Sequence, residues 1–206
     1  MRDVAALILA AGRSQRMGAF KPLLPWGTQT VIEACVDYLH KGGAQQIVVV
    51  LGHQADELRD QLNDLPVQFA LNPAPDSQMN ASIVAGLQEV PASTKATLIA
   101  LADHPAVPPA VVSTLIDEWK KGAPLVIPTW QNRGGHPVLI DLHYRTELQN
   151  LDPARGLKAL FQAHPDQVRR VPVDSPFVAR DMDTWDDYRA LYTQVFGEPP
   201  PEHPRD

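Results

Sequence analysis

Apolar residues in this chain gather into short unbroken runs, and the runs alternate with stretches of helical repeat. Val4–Ala10 reads as a first strand that ends at Ala11-Gly12. Val31, Ala34, Cys35, Tyr38 and Leu39 share one helical face. That spacing predicts a helix capped by Thr28 or Thr30, running to Lys41 and stopped by Gly42-Gly43. Gln46–Leu51 is almost wholly apolar, the pattern of a strand covered on both faces. Gly52-His53 turns the chain, Ala55–Leu62 reads as a helix and Val67–Leu71 as a third strand. Pro73 and Pro75 bar a helix at that point, and Ser77 or Asn80 is the expected cap of one carrying Ile83, Val84 and Leu87.

The second half repeats the alternation. Ala96–Ala102 is an apolar strand, Pro108-Pro109 opens a helix through Trp119, and Pro124–Pro128 is a further strand. Asn132–Pro137 is a glycine hinge before a short strand at Val138. Asp141–Asn150 and Leu157–Ala163 read as helices, Val168–Val173 as a strand, and Thr184 as the cap of a final amphipathic helix. Strands alternating with helix-length crossovers predict a parallel sheet covered by helices, with ligands beyond the carboxyl ends of its strands. Residues 1–196 are expected to form one domain, and 197–206 a flexible, polar, Pro-rich tail.

Composition narrows the options. The 206 residues suffice for a sizeable core, and the formal net charge of −6 argues against general affinity for nucleic acid or anionic membranes. Cys35 is the single cysteine, which leaves no intrachain disulfide and no cysteine-based zinc site; its helical face makes it inert core. Residues 2–11 loosely imitate a secretory leader, but the run halts at Gly12-Arg13 and reads better as a strand. Nothing approaches the ~20 apolar residues that span a bilayer. A cytoplasmic setting is expected.

Against that acidic background, one loop is positive. Arg13, Ser14, Arg16 and Lys21 follow Gly12 with no acid among them, and Pro22-Leu23-Leu24-Pro25 closes the stretch. Glycine permits close approach to the backbone, and successive N–H groups in such a turn form an anion-binding concavity. The spacing is neither G-x-x-x-x-G-K-[ST] nor G-x-G-x-x-G. Three cations after a strand favour phosphate over a merely solvated loop.

Acids stand elsewhere. Asp103 follows an apolar strand directly, where a carboxylate is costly unless it is paired or binds a cation. It is the best single metal-ligand candidate; capping of the next turn is the alternative. Residues 179–188, ARDMDTWDDY, place four acids and Thr184 around a helix start, where acids also favour the helix dipole. Asn72 to Gly86 offers Asn and Ser side chains near a helix start, suited to a sugar, a base edge or a phosphate, and equally to simple capping. His136 could act as a base, and more naturally positions a ligand. There is no nucleophile elbow and no H-E-x-x-H.

The stretch from Leu7 to Pro25, LILAAGRSQRMGAFKPLLP, resembles the opening motif of the MobA-like NTP transferase family, L-A-A-G-x-S-x-R-M-G-x-x-K-x-L-L-P. It is most similar to the molybdenum cofactor cytidylyltransferase branch. The resemblance runs from about Leu7 to about Tyr188. It implies a three-layer α/β/α, mostly parallel, nucleotide-diphospho-sugar transferase-like (GT-A-like) fold. It implies a nucleotidylyltransferase that moves NMP from an NTP to an acceptor and releases pyrophosphate.

Residue by residue, the resemblance implies that Ala10, Ala11, Gly12, Arg13, Ser14, Arg16 and Lys21 hold the triphosphate. Asn72, Asn80 and Ser82 would help to hold the nucleotide, although Gln78 replaces the usual glycine before Met79. L-A-D-H-P supplies Asp103 as a magnesium ligand, completed by Asp183 as first choice and Asp181 as second, with manganese as a possible substitute. His104 would line the pocket and Asp187 would support the helix. His136, in G-H-P-V, would approach the second substrate. Catalysis would rest on Lys21, Arg16 and Asp103. Asp152 and Arg155 match the family's G-D-x-G-A-R only with a residue skipped. The implied substrates are CTP and molybdopterin-bound molybdenum, with a recipient molybdoenzyme as a further partner. The same chemistry on a sugar or alditol phosphate is the first alternative, and a non-catalytic cofactor-delivery protein the second.

Overall fold

The computed structural model describes residues 3–12, 17–74 and 79–201. Arg13, Ser14, Arg16 and Ser77 lie outside them. The strands are β1 (Val4–Leu9), β2 (Pro25–Trp26), β3 (Gln29–Thr30), β4 (Gln46–Leu51), β5 (Val67–Leu71), β6 (Ala96–Leu101), β7 (Leu125–Trp130), β8 (Arg133–Gly134), β9 (Val138–Asp141) and β10 (Val168–Pro172). The helices are α1 (Val31–Lys41), α2 (Ala55–Gln61), α3 (Met79–Glu89), α4 (Pro109–Lys120), α5 (Arg145–Gln149), α6 (Leu157–Ala163) and α7 (Trp185–Phe196).

The main sheet runs β10-β7-β9-β6-β1-β4-β5, with β8 paired to β7. β1 pairs in parallel with both β4 and β6; β9 is antiparallel to its neighbours β6 and β7. From β1 the chain winds outward through β4 to β5, then returns across α3 to β6 on the other side of β1. The crevice between the carboxyl ends of β1 and β6 is therefore a topological switch point, the place where such sheets take ligands.

Burial explains the apolar runs. Alternate β1 residues feed opposite layers: Ala6 and Ile8 pack with Ile32, Val36 and Val112 of α1 and α4, while Ala5 and Leu7 pack with Ile83 and Leu87 of α3. A third cluster joins Met17, Leu24, Trp26 and Val31 to Met182, Tyr188, Leu191 and Tyr192, seating α7 on the β2–β3 hairpin. No helix among the described residues is long and apolar enough to cross a membrane.

Several boundaries differ from the sequence expectation. Thr30, not Thr28, caps α1, through a reciprocal box with Glu33. Asn80 is not a cap, because α3 already begins at Met79. The strand expected at Pro124–Pro128 extends to Trp130, since Pro128 lacks only a donor and its carbonyl still accepts from Gly135 N–H. Asp141 ends β9 instead of opening a helix, and its carboxylate caps the short turn at Leu142–Tyr144.

Candidate active site

Three segments far apart in sequence meet at the switch point. β1 delivers Leu9, Ala10, Ala11 and Gly12; β6 delivers Leu101, Ala102 and Asp103; the 3-10 turn Lys21–Leu23 delivers Lys21 and Pro22. With Met79 and Ser82 from α3 they line a cavity of about 310 Å³. Gly52, at the end of β4, lets Ala11 come close: a Cβ there would stand 2.7 Å from the Ala11 carbonyl oxygen. Sequence reasoning saw Gly52 only as a turn residue, since a close approach between strands leaves no local signature.

Helix α7 fixes the cationic side. Trp185 Nε1–H donates to the Met17 carbonyl at 2.9 Å, and the Tyr188 hydroxyl to the Pro25 carbonyl at 2.7 Å. Thr184 and Asp187 form a capping box at the start of α7, the helix-supporting role expected for Asp187. The segment entering that cap carries Asp183. Lys21 Nζ donates to Asp183 Oδ1 at 2.9 Å and stands 3.8 Å from Asp103 Oδ2. One ammonium thus serves two carboxylates that are 80 positions apart, one from the middle of the chain and one from near its end.

On the acidic side, Asp103 and His104 are the more deeply set groups. Burial pushes the Asp103 carboxyl above the usual carboxylate range, opposed by the charges of His104 and Lys21 and reinforced by Asp181. Burial pushes the His104 imidazole below its usual value, against the pull of Asp103. His104 Nε2 lies 3.7 Å from Asp103 Oδ1, too far for a hydrogen bond. Asp103 Oδ1 and His104 Nδ1 are both buried without a hydrogen-bond partner among the described residues. Beyond His104, His136 packs edge-on with ring centroids 5.9 Å apart. Its Nδ1 lies 3.3 Å from the Ile99 carbonyl, so that nitrogen carries the proton. Burial lowers the His136 pKa to about 4.

The candidates from sequence therefore separate. Ala10, Ala11, Gly12, Lys21, Ser82 and Asp103 line the cavity, and Asp183 reaches Lys21. Asn72 lies behind the wall, donating from Nδ2 to Ser82 Oγ at 3.0 Å while its Oδ1 accepts from Ala74 N–H. Asn80 is half-buried in the first turn of α3. Asp181 is exposed and acts on Asp103 through its charge. His136 is not among the cavity-lining residues. Arg13, Ser14 and Arg16 fall outside the described residues.

A divalent cation fits the donors present. Asp103 and Asp183 converge on one point, and an orphaned buried carboxylate oxygen stands beside it. Hard oxygen ligands suit magnesium or manganese. No group of three or more His, Cys, Asp or Glu able to hold a metal ion occurs among the described residues. The set suits an ion that completes its shell with water and phosphate oxygens, as magnesium commonly does.

Comparison with known proteins gives the family and the fold. Residues 6–170 match the family described as the MobA-like NTP transferase domain. The chain belongs to that family. It is an enzyme of nucleotidyltransferase type, with the nucleotide-diphospho-sugar transferase-like fold. The nicotine blue oxidoreductase of Paenarthrobacter nicotinovorans is 28% identical over 203 residues, covering 91% of this chain and 96% of that protein. The molybdenum cofactor cytidylyltransferase of Escherichia coli K12 is 24% identical over 203 residues, covering 95% of this chain and 100% of that protein. The crystal structure of Rv0371c from Mycobacterium tuberculosis H37Rv in complex with manganese superposes with a TM-score of 0.80 at 28% identity, covering 94% of this chain and 100% of the other.

Proposed function

We propose that the protein is a magnesium-dependent cytidylyltransferase that transfers CMP from CTP to molybdenum-loaded molybdopterin and releases pyrophosphate. The observation that carries the reading is Lys21 set between Asp103 and Asp183 at the mouth of the cavity. A site built only to hold a cofactor has no use for two metal-type carboxylates beside a phosphate loop. The full-length likeness to the E. coli cytidylyltransferase supports cytosine and the molybdenum cofactor as the specific form. A cytoplasmic setting and a recipient molybdoenzyme belong to the same reading.

In this reading the Gly12 loop, with Arg13, Ser14 and Arg16, holds the β- and γ-phosphates. A phosphate oxygen of the acceptor attacks the α-phosphorus in line, the bond to the β-phosphate oxygen breaks, and pyrophosphate leaves. Lys21 stabilises the charge that develops on the phosphates. Asp103, with Asp183 and Asp181 as first and second partners, would hold the cation, which when bound neutralises phosphate charge and aligns the two oxygens. Ser82, braced from behind by Asn72, holds the nucleoside side together with Asn80. An acceptor phosphate is already ionised near neutral pH, so no general base is required. His136 accordingly positions the acceptor and does not take its proton.

The test is pyrophosphate release from each NTP with magnesium and molybdenum-loaded molybdopterin. Release with CTP alone is the expected result. Release only with a sugar or alditol phosphate would replace the acceptor and keep the chemistry. Tight pterin binding with no release would favour a delivery protein. The likeness to the nicotine blue oxidoreductase sets a last arm: redox turnover of nicotine blue without pyrophosphate release from any NTP would favour an oxidoreductase.

A further inference from the structure

We propose that Lys21 is a built-in counter-ion that keeps free divalent cations out of the Asp103–Asp183 site and yields the carboxylates only when an anionic phosphate ligand arrives. The proposal builds on the nucleotidylyltransferase reading for the nature of that ligand.

The geometry sets up a competition. Lys21 Nζ stands 2.9 Å from Asp183 Oδ1 and 3.8 Å from Asp103 Oδ2. The Lys21 side chain is only 11% exposed and that of Asp103 26%. Asp103 is mostly buried and needs a cation, which the ammonium supplies; Asp183, 38% exposed, shares the same ammonium from the wetter side. A magnesium or manganese ion must approach the same oxygens at about 2.1 Å, shedding water that such ions release reluctantly. Two cations cannot share the space, so Lys21 must leave before the oxygens are available. The Lys21 side chain, only 11% exposed, will not leave the two carboxylates without another anion to receive its ammonium. The cavity wall that Lys21 shares with Gly12 places such an anion within the sweep of its stem.

The moving part is the side chain alone. The backbone on both sides of Lys21 is tied to α7, by Trp185 to the Met17 carbonyl and by Tyr188 to the Pro25 carbonyl. Pro22 stiffens the turn further, while the lysine stem has four rotatable bonds. Phosphate binding and cation binding are then coupled through one residue, and by linkage each strengthens the other. The cation would enter together with the nucleotide, and a pool of free metal would not load the empty enzyme.

The decisive measurement is titration of the protein with Mn²⁺ alone, without nucleotide, followed by electron paramagnetic resonance. Lys21→Gln is expected to bind Mn²⁺ at least about fivefold more tightly than the wild type, the lower end of measured site couplings. Lys21→Arg, which keeps the charge, is expected to stay near the wild-type affinity. A gain below fivefold in Lys21→Gln, or a loss, overturns the proposal. If thermal melting shows that Lys21→Gln has lost the fold, Lys21→Met keeps the stem without the charge and gives the same readout. Pyrophosphate release by the wild type separates the two ideas. Release without a gain in Mn²⁺ affinity sinks the counter-ion role alone. A gain in affinity with no release from any NTP sinks the transfer reading and leaves the counter-ion standing.

Discussion

Lys21 Nζ and Asp183 Oδ1 are 2.9 Å apart in space and 162 positions apart in sequence. The contact exists because α7 folds back onto the loop that leaves β1, bringing the last acidic motif against the first basic one. The Asp183 side chain is 38% exposed, so the ion pair adds little to stability. Its weight falls on function.

Asp183→Asn should therefore leave the melting temperature within a few degrees of wild type while lowering kcat/KM by about a hundredfold or more. Asp103→Asn should abolish turnover and leave stability unchanged or improved, because burial already opposes its charge. Parallel melting and pyrophosphate assays check both. An unchanged magnesium-dependent rate in Asp103→Asn would remove that residue from the mechanism.

Thr184→Ala tests the tie between cap and site. Loss of the capping box should cost about 1 kcal/mol, read by denaturant unfolding. Because Asp183 enters that cap directly, activity should fall by more than the small change in folded population explains. Thr30→Ala removes the equivalent cap of α1 and should cost a similar amount with no such loss of rate.

Gly52 and Gly12 should respond in opposite ways to alanine. At Gly52 the new methyl group meets Ala11 backbone atoms at 2.7–2.8 Å, which predicts about 1–3 kcal/mol of destabilisation and a displaced cavity floor. At Gly12 nothing among the described residues lies within 4 Å, so stability should hold. The methyl there would project where a phosphate is proposed to lie, and KM for the nucleotide should rise. Equal behaviour of the two variants in both assays would contradict this account.

His136 should make the fold acid-sensitive. Its pKa is lowered to about 4 by burial, and the neighbouring His104 charge acts in the same direction. Below the unfolded value near 6.5, the unfolded chain takes up the proton first. Stability should fall from about pH 6.5 down to about pH 4, by at most on the order of 3 kcal/mol. His136→Gln should flatten that slope in urea titrations across the same range, and an unaltered slope would assign the acid sensitivity to other groups.

Much of this architecture was open to reading from the chain alone. Gln46–Leu51 showed its burial on both faces because a central parallel strand has no wet side to mark. Lys21 and Asp103 stood out because a cation in an acid-free loop after Gly12 and an acid directly after an apolar strand are both patterns that favour a ligand. Boundaries were harder. Asn80 looked like a cap because capping residues are recognised by type, whereas α3 already includes Met79. The strand β9 gave no sign of running antiparallel, since strand direction depends on the path of the chain between elements.

The sequence by itself determined the alternating elements, the two-sided core and the chemical types at the site, because periodicity, residue charge and motif spacing are local properties. Only the tertiary structure decided which groups meet. It chose Asp183 over Asp181 as the partner of Lys21, set Asn72 behind Ser82, and placed His136 beyond His104 instead of in the cavity wall. Those choices follow from the winding of strands about β1 and from α7 closing on the β2–β3 hairpin, and contacts across 162 positions leave no trace in either local pattern.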